Sequence, residues 1–97
     1  MIDLSPLPIL KSDDRGVMYN CDTLKCVVRK KGSISGNHIH SDPEILYLVS
    51  GSATVTVGDE TTVVEAPMKI QIPGNIHHQL FADSDIIFLE DRHGLLS

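Results

Sequence analysis

Several things are scarce in this chain, and each scarcity removes a class of protein. Cys21 and Cys26 are the two cysteines, too few and too oddly spaced for a zinc knuckle or a C-x-x-C redox pair. They read as reduced thiols in or near a strand, as a reducing compartment would leave them. No apolar stretch approaches the ~20 residues that a membrane-crossing helix needs, and the N-terminus lacks a basic-then-apolar leader. These features point to a cytoplasmic protein without a membrane partner. Basic residues are outnumbered, 8 Lys and Arg against 13 Asp and Glu, for a net charge of -5. Nucleic acid and anionic surfaces call for a basic face, so neither is an expected partner. No long amphipathic helix, linker, repeat or low-complexity tract is visible.

What is present is a succession of short strands. Gly, Asp, Asn and Pro punctuate apolar segments at Val17 to Asn20, Leu24 to Lys30, Ile39-His40, Glu44 to Ser50, Ala53 to Val57, Thr61 to Glu65, Lys69 to Ile72, His77 to Phe81 and Ile86 to Glu90. Asp13 to Gly16 reads as a turn and Gly58-Asp59-Glu60 as a hairpin tip. Residues 1–11 contain Pro6 and Pro8, which exclude a helix interior and suggest an extended arm or edge strand. The tail from Asp91 to Ser97 is expected to add one turn or stay loose. The reading is a single all-β domain over 1–97, a closed or two-sheet antiparallel barrel. With 97 residues, such a domain buries only about two thirds of its unfolded surface, so a partner subunit would help it.

Two segments carry chemistry. In Gly32-Ser-Ile-Ser-Gly-Asn-His38-Ile-His40-Ser-Asp-Pro-Glu44, strand alternation sends His38 and His40 to one face with Cα atoms roughly 7 Å apart, a grip for one ion. The turn Ser41-Asp42-Pro43 lets Glu44 return toward the same point from the next strand. Ile72-Pro73-Gly74-Asn75-Ile76-His77 supplies His77 from a distant hairpin. Three imidazoles and a carboxylate would leave open positions on a five- or six-coordinate ion, unlike a closed structural zinc site.

These residues resemble the cupin superfamily. Its first motif is satisfied by Gly32, His38, His40, Glu44 and Gly51. Its second is met in part by Gly74 and His77, with Ala66 in place of a glycine and Ile72 in place of a proline. The resemblance implies a double-stranded β-helix, or jelly-roll barrel, holding one divalent transition metal ion per subunit (Mn, Fe, Co, Ni, Cu or Zn) on His38, His40, Glu44 and His77. Gly36-Asn37-His38-Ile39-His40 also looks like the R-G-N-H-x-H segment of cupins that act on nucleotide-linked sugars, with Ser35 where those have Arg. The implied function is a metal-dependent enzyme, isomerase- or lyase-like or a dioxygenase, acting on a small polar metabolite such as a carbohydrate or a keto or hydroxy acid. The alternative is a non-catalytic small-molecule-binding or sensory module, and a weaker third is metal storage. Fold alone does not separate them.

Parity assigns the remaining side chains. If His77 points inward, Gln79 and Phe81 share its face and line the cavity as substrate-binding residues, while His78 turns outward. Arg29 and Gln71 are weaker candidates, and His93 is expected in solvent. The run Ile45-Leu46-Tyr47-Leu48-Val49 does not alternate. With Glu44, Leu46 and Leu48 inward, Ile45, Tyr47 and Val49 form an apolar outer face that needs a cover. In small cupins a second copy commonly supplies it, so a homodimer is expected, with the N-terminal arm as the competing cover.

Overall fold

Strand propensity and turn chemistry produce ten strands among the described residues. The computed structural model describes residues 2–39 and 41–91. His40 lies outside the described residues, as do His93 and the rest of the tail beyond Asp91. The elements are β1 (Ile9–Asp13), β2 (Gly16–Cys21), β3 (Leu24–Arg29), β4 (Ile34–His38), β5 (Glu44–Ser50), β6 (Ser52–Val57), β7 (Glu60–Glu65), β8 (Met68–Ile72), β9 (His78–Ala82) and β10 (Ile86–Asp91). A six-stranded sheet runs β1-β2-β3-β10-β5-β8 and a four-stranded sheet runs β4-β9-β6-β7. Every pairing is antiparallel. The all-β jelly-roll expectation therefore holds. No helix of the described residues is long and apolar enough to cross a membrane.

The two sheets face each other across one apolar cluster built from alternate residues of each strand. Val27 of β3, Phe88 of β10 and Leu48 of β5 lie side by side in register, Phe88 pairing with both. Opposite them Ala53 and Val55 of β6 pair with Ala82 and Leu80 of β9. Cross-strand neighbours on one face of a sheet are the contacts that fix its register, because a slip of one residue would turn the whole set to solvent. The expected parity of β5 is seen: Leu46 and Leu48 join the core.

Three departures from the sequence reading have physical causes. The expected short strand at Ile39-His40 lies earlier, at Ile34–His38, because Ser35 finds a ladder partner in Leu80 of β9 and Ile34 one in Phe81. The N-terminal segment takes the expected edge-strand form, as β1 at the rim of the six-stranded sheet, but the strand runs past Lys11 to Asp13 and pairs with β2 through an irregularity between Ile9 and Lys11. On β5, Ile87 pairs with Ser50 and Phe88 with Leu48, so Val49 is the extra residue of a bulge and stands out of the ladder. Gly51 follows at φ +91, where an added Cβ would come within 2.8 Å of Ile86 Cγ2. Only glycine turns the chain there from one sheet to the other. The cysteines are free, and burial pushes the Cys26 thiol up, with Cys21 adding to the shift.

Leu48 is 1% exposed, and its truncation would leave a cavity between the sheets. Leu48→Ala is expected to cost about 2–5 kcal/mol, whereas Val63→Ala, at a position 68% exposed, should stay within about 0.5 kcal/mol. Urea unfolding of both variants beside the wild type makes the comparison.

Candidate functional site

At one end of the core the apolar side chains give way to polar ones around a cavity of about 530 Å³, a size suited to a small metabolite. Leu46, Leu80 and Phe88 form its apolar wall. Arg29, Glu44 and Glu90 reach it from the six-stranded sheet, and Ser35, His38 and His78 from the four-stranded sheet. Lys11 and Arg15 stand on the wall contributed by β1 and the turn after it.

A bulge in β4 positions two of these residues. Ser35 pairs with Leu80 and His38 with His78, so three steps along β4 match two along β9. Without the extra residue Ser35 and His38 would point to opposite faces. Gly36, at φ +86, supplies the left-handed step this needs, and it also lies under the His78 ring: an added Cβ would meet His78 Cδ2 at 3.0 Å.

His78 is the inward histidine of β9. It is 2% exposed, and Glu44 across the barrel is 5% exposed. Their Nε2 and Oε1 atoms are 3.0 Å apart, which ties the two sheets together. The His38 ring meets the His78 ring edge to face, with centroids 5.0 Å apart and planes at 76°. His38 itself is exposed at the cavity rim.

This reverses the sequence assignment for β9. His77 is exposed and off the cavity wall; its carbonyl accepts a hydrogen bond from the Gly58 amide at 2.9 Å. Gln79 and Phe81 follow the parity of His77 and pair with Thr56 and Thr54 on the outer face of β6, so neither lines the cavity. The physical reason is register. Leu80 and Ala82 belong to the core, and His78 shares their parity. Asn75, at φ 60, adds a left-handed step to the turn before β9, and the strand begins one residue later than motif spacing implies. Leu80 and Ala82 on the parity of His78 were a signal in the sequence, offset by Phe81 on the parity of His77. Gln71 lies exposed opposite Ile45, whereas Arg29 does face the cavity.

Charge around the mouth is organised by Asp13. It accepts from the Arg15 amide at 2.9 Å and the Arg15 guanidinium at 3.1 Å, with Lys11 Nζ at 3.9 Å. The Arg15 hydrogen bonds hold its carboxyl below the usual carboxylate range. That support for the β1–β2 turn is present above the unfolded-state value and is lost as pH falls through the lowered folded one. Arg29, 4% exposed, has its pKa lowered first by burial and then by the nearby Arg15, against weaker opposing fields from Asp13 and Glu90.

A family profile described as a cupin domain matches residues 25–89. The chain belongs to the cupin family. Among solved structures it is similar to the capsular polysaccharide assembling protein CapF from Staphylococcus aureus, with TM-score 0.77 and 22% identity over 90% of this chain and 28% of that one. It is similar also to an RmlC-like cupin from Shewanella frigidimarina, with TM-score 0.71 and 20% identity over 87% of this chain and 80% of that one. A salicylate 1,2-dioxygenase variant from Pseudoaminobacter salicylatoxidans aligns with TM-score 0.63 and 18% identity over 70% of this chain and 21% of that one. The chain thus spans under a third of the CapF length, and these likenesses speak to the fold. No curated protein matches the chain.

The donor types on the cavity wall, the imidazoles of His38 and His78 and the carboxylates of Glu44 and Glu90, are those that divalent transition ions accept. Two donor atoms each ~2.1 Å from one ion stand about 3 Å apart when at right angles, and His78 Nε2 and Glu44 Oε1 have that separation. Among the described residues no group of three or more His, Cys, Asp or Glu side chains is placed to hold a metal ion, and His40 lies outside them.

Gly36→Ala is expected to force the His78 ring away from Glu44 and to cost about 1–3 kcal/mol for the left-handed backbone. The histidine ring signals of the variant in a nitrogen-detected NMR spectrum, with a urea unfolding curve, measure both effects.

Proposed function

We propose that this cupin is a metal-dependent enzyme for a small polar metabolite, bound in the cavity between the sheets. The observation that carries the reading is the convergence of Glu44, His78 and His38 from three strands of both sheets on one cavity wall. The pair His78 and Glu44, 3.0 Å apart, would hold the ion, and the resemblance adds His38 and His40 as further donors that would have to close on it. His78 here takes the place that motif spacing gives to His77. When bound, such an ion would polarise a carbonyl or hydroxyl of the substrate.

The chain's own contribution follows from the wall. Leu46, Leu80 and Phe88 exclude water from the substrate body, which strengthens polar contacts made beside them. Gly36 and the β4 bulge hold His78 against Glu44. The names of the similar structures, polysaccharide assembly in one and dioxygenase in another, support small-molecule chemistry without choosing a reaction. Isomerase or lyase chemistry on a carbohydrate or a keto or hydroxy acid remains our favoured class. The 3.0 Å separation of His78 and Glu44 is equally a hydrogen-bond length, and this favours, as the second reading, a binding module that holds its ligand without an ion.

Elemental analysis of protein purified without added metal separates the two. We expect about one transition ion per chain in the wild type and in His77→Ala, and its loss in His78→Ala and in Glu44→Gln, with circular dichroism showing the barrel intact. A wild type free of metal, or a loss confined to His77→Ala, would sink the assignment.

We also propose a homodimer through the outer face of β5. Ile45 is buried within the chain, Tyr47 half-buried and Val49 50% exposed. The exposure of the arm's Ile2 and Leu4, 82% and 84%, favours a second copy over the arm as the cover. Sedimentation at micromolar concentration should give a dimer for the wild type and a monomer for Val49→Asp; a monomeric wild type would refute the interface.

A further inference from the structure

Arg29 is the residue on the cavity wall that the fold does least to accommodate. It follows Val27 on the inner face of β3 and is 4% exposed. A guanidinium has five N–H donors and cannot shed its proton. Here Nε donates to Ser35 Oγ at 3.2 Å and Nη1 to the Val28 carbonyl at 3.2 Å. The other three N–H groups meet no acceptor among the described residues, and no described carboxylate forms an ion pair with it. Of the acids near it, Asp13 pairs with Arg15 and Glu44 with His78, while Glu90 reaches it as a field without an ion pair to it. A buried cation without an anion against it is costly. A chain that keeps one on a cavity wall has left a place for an anion to enter.

The wider charge pattern agrees. The whole chain has 8 basic and 13 acidic side chains, yet the cavity wall carries Lys11, Arg15 and Arg29 beside Glu44 and Glu90; Asp13 pairs with Lys11 and Arg15, which leaves Arg29 as the wall cation without an ion pair among the described residues. Wall charges of one sign around a low-dielectric space concentrate ligands of the other.

We propose that Arg29 and Ser35 form an anion-binding end of the cavity, and that the ligand is a small molecule presenting a carboxylate or phosphate to them while its remainder extends toward His78 and Glu44. This rests on the reading of the cavity as the ligand site and names the class of ligand. With Nε occupied, the Nη1–Nη2 edge of Arg29 is left for a two-point contact with paired oxygens. Ser35 accepts from Arg29, so its own hydroxyl proton remains to be donated to the same anion.

Matched probes test the class: lactate against lactamide for a carboxylate, and glucose 6-phosphate against glucose for a phosphate. Each is titrated calorimetrically into the full chain at constant ionic strength, both as purified and after chelator treatment. At least one anion should bind ten-fold or more tightly than its neutral counterpart, and the pair that discriminates identifies the group. Arg29→Met should lose that preference by ten-fold or more and, without ligand, should melt no lower than the wild type. Ser35→Ala, which keeps the guanidinium, should lose a smaller factor. The proposal is overturned if charged and neutral probes behave alike, including the case in which none binds, or if Arg29→Met retains the anion preference. Anion binding that survives chelation and still depends on Arg29 would leave this inference standing even if elemental analysis found no ion.

Discussion

Strand parity across two facing sheets is the constraint on which everything else in this protein depends. Each strand can send only alternate side chains inward, so the residues available to a cavity are decided by register before chemistry has any say. The core fixes that register: Leu48 against Phe88, Phe88 against Val27, and Val55 against Leu80. Glu44 points inward because Leu46 and Leu48 do. His78 points inward because Leu80 and Ala82 do. Their 3.0 Å approach is thus a consequence of two apolar alternations that meet, one on each sheet.

Bulges are the means by which the chain departs from strict parity where the site requires it. In β4 the extra residue lets Ser35 and His38 share a wall although they are three apart. In β5 the same device expels Val49 from the ladder and leaves it on the outer face. Both lie beside a glycine with positive φ, Gly36 within the first and Gly51 shortly after the second. A regular ladder could not serve both the cavity and the turn between sheets.

Legibility in the sequence followed the same physics. The all-β architecture and most strand positions could be read, because turn residues recur at short intervals between β-branched segments. The β5 side of the site was legible, since Leu46 and Leu48 form an unmistakable pair with Glu44. β9 was not. Gln79-Phe81 and Leu80-Ala82 offer apolar residues on both parities, so alternation gave no clear answer. Motif spacing decided for His77, whereas the core register of Leu80 and Ala82 gives the inward place to His78. One step of parity exchanges the directions of two adjacent histidines and carries Gln79 and Phe81 out of the cavity with His77. Arg29 was faint for another reason: its direction depends on the β2–β3–β10 register, which no motif marks.

The cavity also shares its walls with the core. Val27, Leu46, Leu80 and Phe88 belong to both, so the site is the polar end of the same packed volume that stabilises the barrel. In a domain this small that arrangement has a consequence. Each polar residue on the wall, Arg29 above all, occupies an inward position that an apolar side chain could fill with a gain in stability. Local rules are broken in natural sequences chiefly where a function requires it. Here the breaches are an unpaired buried guanidinium, a left-handed Gly36 beneath an imidazole, and a carboxylate drawn against that imidazole. They lie together at one end of the barrel, while the cluster between the sheets is apolar; Asp91, 1% exposed on β10 opposite Ile45, is the other buried charged residue among the described ones. Their concentration at that end, more than any one of them, is what supports the proposal of a site there over the ordinary irregularity of a small β-domain.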